Sequence, residues 1–161
     1  MGKLTHADSS GQARMVDVSG KAVTARYARA SGNIRMKPET FDAIRGNSIA
    51  KGDVLSVARI AGIMAAKKTA ELIPLCHTVP LSDIEVVLTL DSELPGVHCE
   101  ATARTIAQTG VEMEAISAVA LSLVTIYDMA KAIDKDMIIC DISLQEKAGG
   151  KSGSWKRSAG A

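Results

Sequence analysis

The spacing of apolar and polar residues along this chain changes rhythm several times. From Met15 to Met36 the period is two. Val16 and Val18, then Val23, Ala25, Tyr27 and Arg29, interleave with Thr24, Arg26 and Ala28, which predicts a strand. Ser31-Gly32-Asn33 supplies a turn or bulge inside it. Pro38 and Glu39 then open a short helix to about Ile44, because Pro suits a first helical turn and Glu the positive helix end. Gly46-Asn47 closes it. From about Asp53 to Leu72 the spacing turns helical, through Val54, Val57, Ala58, Ala61, Met64 and Ala65. Asp53 is its N-cap, Lys67 and Lys68 suit its negative end, and Pro74 stops it.

Period two then returns twice. Ile84, Val86, Leu88 and Leu90 alternate with Glu85 and Thr89, and Val97, Cys99, Ala101 and Ala103 with His98, Glu100, Thr102 and Arg104. Pro95-Gly96 between them predicts a hairpin. A third helix follows over about Gly110 to Asp134, with charges near its ends and a middle that is apolar or small on every side. Such a helix is buried all round, and a chain this small cannot easily enclose it alone, so part of it is expected to face another subunit. A last strand, Met137 to Leu144, puts Ile138, Cys140, Ile142 and Leu144 on one face.

Setting the short helix aside, the order is β-α-β-β-α-β. This predicts an α+β, ferredoxin-like split βαβ sandwich, an antiparallel sheet with both long helices on one face. Residues 1–13 read as a flexible N-terminus, 14–147 as one domain and 148–161 as a flexible Gly/Ser/Lys-rich tail. On the other sheet face, Val87, Ile106 and Ile139 favour coverage by a second copy.

The 161 residues suit one domain, and 47% apolar with 23% charged residues excludes wholesale disorder. A net charge of +1 argues against gripping nucleic acid by long-range electrostatics. The four aromatics, Tyr27, Phe41, Tyr127 and Trp155, are too few for a base-stacking platform. The longest uncharged stretch, Ala115 to Tyr127, would rise roughly 20 Å as a helix, short of a ~30 Å hydrocarbon core, so no membrane span is expected. No apolar run marks a signal peptide over Met1 to Gln12, and the three cysteines form no close pair. A cytoplasmic location is the expectation.

Several side chains carry chemistry. Cys76-His77 are adjacent, and neither Cys99 nor His98 stands at a ligand spacing, so no metal site is expected. Gly149-Gly150-Lys151-Ser152 fails the phosphate-loop pattern, because its first glycine would fall at Gln145. A solvated linker and a looser phosphate-contacting tail remain about even. Lys51 precedes a helix N-terminus, where free N–H groups favour anions. His77 follows Pro74 in a loop and has a side chain suited to proton transfer near neutral pH.

Glu112 and Glu114 lie at the start of the third helix, where ideal geometry makes them diverge by roughly 200°. They converge only if the helix starts irregularly. Asp128 and Lys131 share one face near its other end, a charge pair expected to be buried and therefore costly without a task. Glu114 and Asp128 are 14 positions apart, about 21 Å along a helix. If both serve one site, a second subunit must bring its own helix end alongside, as a two-fold dimer does.

Five segments carry a resemblance: MVDVSGK (15–21), KGDVLSVARIAGIMAAKKTAELIPLCH (51–77), TGVEMEAISA (109–118), TIYDMAKAIDKDM (125–137) and EKAGGKSG (146–153). Together they resemble the cyclic pyranopterin monophosphate synthase family of molybdenum cofactor biosynthesis. The resemblance implies a ferredoxin-like fold, a hexamer built as a trimer of dimers, and active sites at dimer interfaces. It also implies a reaction. A radical enzyme first joins C8 of GTP to C3′ of its ribose, and a lyase of this family converts that cyclised dihydro-GTP to cyclic pyranopterin monophosphate, releasing pyrophosphate. The second step needs acids, bases and cations, with no cofactor implied.

Carried over by motif, Asp128 and Lys131 are the central acid/base pair, and Lys51 assists proton transfer or binds phosphate. Lys147 neutralises triphosphate charge. Leu75, Cys76 and His77 line the pocket, Met113 and Glu114 grip the purine-derived end, and Glu112 orients a cation or accepts a proton. Two positions depart from the family pattern, Thr78-Val79-Pro80 after His77 and Ala130 where cysteine is common, and both bear on shape more than on assigned groups.

Overall fold

Small side chains decide where the central strand lies. In the computed structural model, which describes residues 12–158, β1 (Thr24–Arg35) carries Ala28, Ala30, Gly32 and Ile34 on one face. That face packs beneath the longest helix, α4 (Glu112–Ala130), through Ala115, Ala118, Val119 and Leu123. A Cβ on Gly32 would lie 2.9 Å from the nearest side-chain carbons of Val119 and Ile142, so the approach of helix to sheet needs glycine there.

Every neighbouring pair in the sheet is antiparallel, in the order β2 (Leu81–Asp91), β3 (Gly96–Ala107), β1, β4 (Ile138–Ala148), β5 (Trp155–Lys156). The first four strands have the ferredoxin-like order, and the protein has the expected α+β fold. α1 (Pro38–Arg45) follows β1, and its start is fixed by Asp134, a buried carboxylate that accepts from Lys37 N at 2.9 Å and Asp136 N at 2.9 Å. α2 (Val54–Lys67) lies antiparallel to α4, beginning at Asp53, whose carboxylate accepts from Ser56 N. A Cβ on Gly62 would lie 2.8 Å from the Ala118 carbonyl and closer still to Ser122 Oγ, and Ser122 Oγ donates to the Ala58 carbonyl at 3.0 Å. α4 is long and apolar enough to cross a bilayer by composition, yet most of its apolar side chains enter this core.

Several expected elements differ. Strand structure begins only at Thr24, because β3 ends at Ala107 and leaves residues 15–23 no partner to pair with. The helix expected over 53–72 breaks at Lys68 and resumes as the single turn α3 (Thr69–Leu72). The helix expected over 110–134 is α4, shorter at both ends. The expected alternation of β4 fails because its pairing with β1 slips twice, between Ser31 and Asn33 and between Arg29 and Ala30. Asp141, with φ +58°, lies in the first slip. Ile139, opposite Ile34, therefore faces the core with Ile142 and Leu144, while Ile138 stands exposed. Ile139 thus does not belong to the outer face; Val87 and Ile106 do stand exposed.

The outer sheet face is otherwise polar. Arg29 pairs with Glu100 at 2.9 Å and with Glu146 at 3.3 Å, and Arg104 stacks over Tyr27. The Gly/Ser/Lys-rich segment expected to be a tail turns back over Gly149–Gly153 and adds β5 beside Glu146 and Lys147. The flexible N-terminus expected over 1–13 lies, but for its last two residues, outside the described residues.

Candidate active site

The N-terminal end of α4 opens on a pocket of about 390 Å³, whose lining includes Leu75, Cys76, His77, Gly110, Glu112, Met113 and Glu114, with Thr109 beside them. The loop after α3 supplies the first three, turned inward by a hydrogen bond from Cys76 N to the Ile73 carbonyl. The cap residue Val111 offers no side-chain oxygen to the first helical N–H groups.

Glu114 is only 3% exposed, and its Oε2 has no hydrogen-bond partner. Cys76 Sγ stands 4.0 Å from its Oε1. Burial pushes the Glu114 carboxyl up from the ordinary glutamate value, and nearby Glu112 adds to it. Burial, then Glu114, raises the Cys76 thiol. His77 Nε2 lies 2.7 Å from the Val16 carbonyl, so Nε2 is assigned the proton and Nδ1 is left as the basic nitrogen.

Lys147 reaches the same end from the sheet. It stands opposite Ala28 on the helix side of β4, and its Nζ donates to Glu112 Oε1 at 2.9 Å. Glu112 and Glu114 therefore share one pocket despite their divergence on an ideal helix, because Glu112 folds back beside Gly110.

A second cluster lies at the far end of α4. Asp128 Oδ1 accepts from Lys131 Nζ at 2.7 Å and Oδ2 from Lys51 Nζ at 2.8 Å. Lys51 Nζ also donates to the Asp128 carbonyl at 2.8 Å. These bonds, with Lys131 the larger influence, hold the Asp128 carboxyl down at about 2, and Asp128 in turn raises Lys131. The pair expected to be buried is instead about half exposed, 55% for Asp128 and 51% for Lys131, since both side chains leave the outer side of α4 near its end. The ten sequence-predicted residues thus form two groups, seven at one end of α4 and three at the other, about 21 Å apart.

Sequence reasoning missed a third feature. A groove of about 640 Å³ is lined by Lys21, Arg26, Lys151, Thr24 and Ser152. Arg26 donates to the carbonyls of Ala107 at 3.3 Å and Gln108 at 3.0 Å, just before Thr109 and Gly110 of the pocket. Its guanidinium lies over Gly150, where φ is +72° and a Cβ would stand 2.6 Å from Arg26 Cζ. The run Gly149-Gly150-Lys151 was the one available signal, and only the fold shows it beside Lys21 and Arg26. Among the described residues, no three of His, Cys, Asp and Glu gather closely enough to hold a metal ion. Residues 15–150, most of the chain, match the model of the MoaC family.

Proposed function

The chain belongs to the MoaC family, the family of cyclic pyranopterin monophosphate synthase, and from that membership we propose a reaction for it. Membership implies a role in molybdenum cofactor biosynthesis. The reaction is conversion of 3′,8-cyclo-7,8-dihydroguanosine 5′-triphosphate to cyclic pyranopterin monophosphate, with release of pyrophosphate.

The observation that carries this reading is the division of one acid/base set between the two ends of α4. Opening the imidazole ring, closing the pyrazine ring and forming the cyclic phosphate are proton transfers and displacements at several atoms of one substrate. Asp128, held ionised between two lysines, suits a stabiliser of positive charge, and Lys131 a proton donor. Glu114, whose carboxyl burial raises, offers an acid, and His77 Nδ1 an acceptor nitrogen. Lys147 and the Lys21, Arg26 and Lys151 groove suit the triphosphate, whose oxygens need cations. No metal or cofactor takes part in this reading.

One copy cannot bring both groups to one small molecule, so the working unit is a two-fold pair in which the far end of a second α4 completes the pocket. Exposed apolar residues support the pairing. Val57, Ile60 and Met64 on α2, with Leu121 and Val124 on α4, stand uncovered on the helix layer. Three such pairs would form the hexamer that the family resemblance implies.

The test is Asp128→Asn and Lys131→Met, assayed with the cyclised nucleotide and sized in solution. A loss of about 10²–10⁴-fold in turnover with assembly unchanged is expected. Variants that keep full turnover, or that fall apart into inactive single copies, would instead support a ligand-binding oligomer in which these charges are interface ion pairs.

A further inference from the structure

We propose that Gly110 is a positioning residue for Glu112: the absent side chain at 110 is the seat that lets the Glu112 carboxylate fold back from α4 and meet Lys147. A Cβ on Gly110 would lie 2.8 Å from Glu112 Cδ and 3.0 Å from Oε1, and closer still to Oε2. All three nearest atoms belong to that one carboxylate. The backbone gives no other reason for glycine, since Gly110 is not among the residues with positive φ.

The seat solves a geometric problem. Glu112 is the first residue of α4 and Glu114 the third, so a regular helix points them apart by roughly 200°. The cap residue Val111, at φ −123° and ψ 28°, turns the chain into the helix from a non-helical conformation. Glu112 then lies over the Gly110 Cα and its Oε1 accepts from Lys147 Nζ at 2.9 Å. An alanine at 110 meets only the far end of a flexible side chain, so the chain folds, but the carboxylate swings out of its seat and Lys147 loses its acceptor.

This inference rests on the reading that Glu112 and Lys147 work on the substrate, and its test separates the two. Gly110→Ala, Glu112→Asp and the double variant are compared by melting temperature, by kcat and KM on the cyclised nucleotide, and by crystal structure. Gly110→Ala is expected to melt near wild type and to lose about 10–100-fold in kcat, as misplacement of a working group by about 1 Å does. In its crystal the Glu112 to Lys147 distance should exceed 4 Å. Asp is one carbon shorter and does not reach the seat, so adding Gly110→Ala to Glu112→Asp should change kcat less than twofold.

A Gly110→Ala protein with wild-type kcat, or one whose crystal keeps the 2.9 Å pair, overturns the inference, as does an equal loss on the Glu112→Asp background. If the wild type fails to turn over this nucleotide, the proposed reaction fails, and the seat is decided by the crystal distance alone.

Discussion

Asp128 Oδ2 accepts a hydrogen bond from Lys51 Nζ at 2.8 Å, although the two residues are 77 positions apart. The packing of α2 on α4 makes the contact. Antiparallel neighbours at close range put the start of α2 beside the end of α4, and Gly62 sets how close they come. Lys51 then also satisfies the Asp128 carbonyl, in the last turn of α4 where carbonyls lack helical partners.

The first prediction concerns the charge on Asp128. Its carboxyl is held at about 2, below the ordinary aspartate value of 3.8, by Lys131 and then Lys51. A depressed acid stabilises the fold above its unfolded value and ceases to do so as pH falls through its folded one. The contribution is therefore complete above about pH 4 and lost toward pH 2. Carboxyl NMR should give a midpoint near 2 in wild type and a higher one in Lys131→Met. A wild-type midpoint near 3.8 would remove the two-lysine clamp. Any acidic limb in the rate profile above pH 4 then belongs to another group.

Glu114 has the opposite sign. Burial raises its pKa, so the folded state holds this proton more tightly than the unfolded chain does. Its contribution is fully present below the ordinary value of 4.5 and is lost as pH rises through the folded value. Glu114→Gln should therefore melt about 2–4 °C higher than wild type at pH 8, the size of ~1 kcal/mol in a chain of this length. Below pH 4 the gain should vanish while turnover stays impaired. An equal gain at both pH values would exclude the charge as its cause.

Subunit mixing tests the division of the site. Glu114→Ala and Asp128→Ala proteins are each expected to be inactive. After exchange in equal amounts, random pairing leaves about a quarter of the sites intact at a two-fold interface. Activity should rise toward that fraction of wild type. No rise, with exchange shown by mass-tagged subunits, would mean that each copy works alone.

Gly62→Ala tests the helix contact. The added Cβ meets Ser122 Oγ, which can turn away only by giving up its bond to Ala58, and the Ala118 carbonyl, which moves only with α4. A loss of about 1–3 kcal/mol is expected, read as a lower denaturation midpoint at unchanged m-value. A variant as stable as wild type would mean that the helices separate more easily than the Ser122 to Ala58 bond suggests.

Local pattern and strand pairing agree best at one hairpin. The hairpin of β2 and β3 follows from alternation on both sides of Pro95-Gly96, and its observed register pairs Val86 with Ala101 and Leu88 with Cys99. β4 was harder, because two one-residue slips leave composition unchanged while reversing which side chains face inward. Val16 and Val18 alternate like a strand, but alternation does not show whether a partner is present. The ten candidate residues stand out through their motifs, and helical rise alone separates Glu114 from Asp128, but only the fold places Lys51 at one end of α4 and Lys147 and the 75–77 loop at the other. Lys21, Arg26 and Lys151 carry no spacing of their own; only the turn at Gly149–Gly153 brings them together.

If the site is shared as proposed, the 19-residue length of α4 between its two charged clusters also sets a concentration dependence. No bending of a lone molecule closes that span, so turnover per milligram should fall on dilution as copies separate, and recover on concentration. On the same reading, a copy damaged at one centre spoils only one of the two sites it shares, so activity in a mixture with healthy copies should fall in proportion to the damaged fraction.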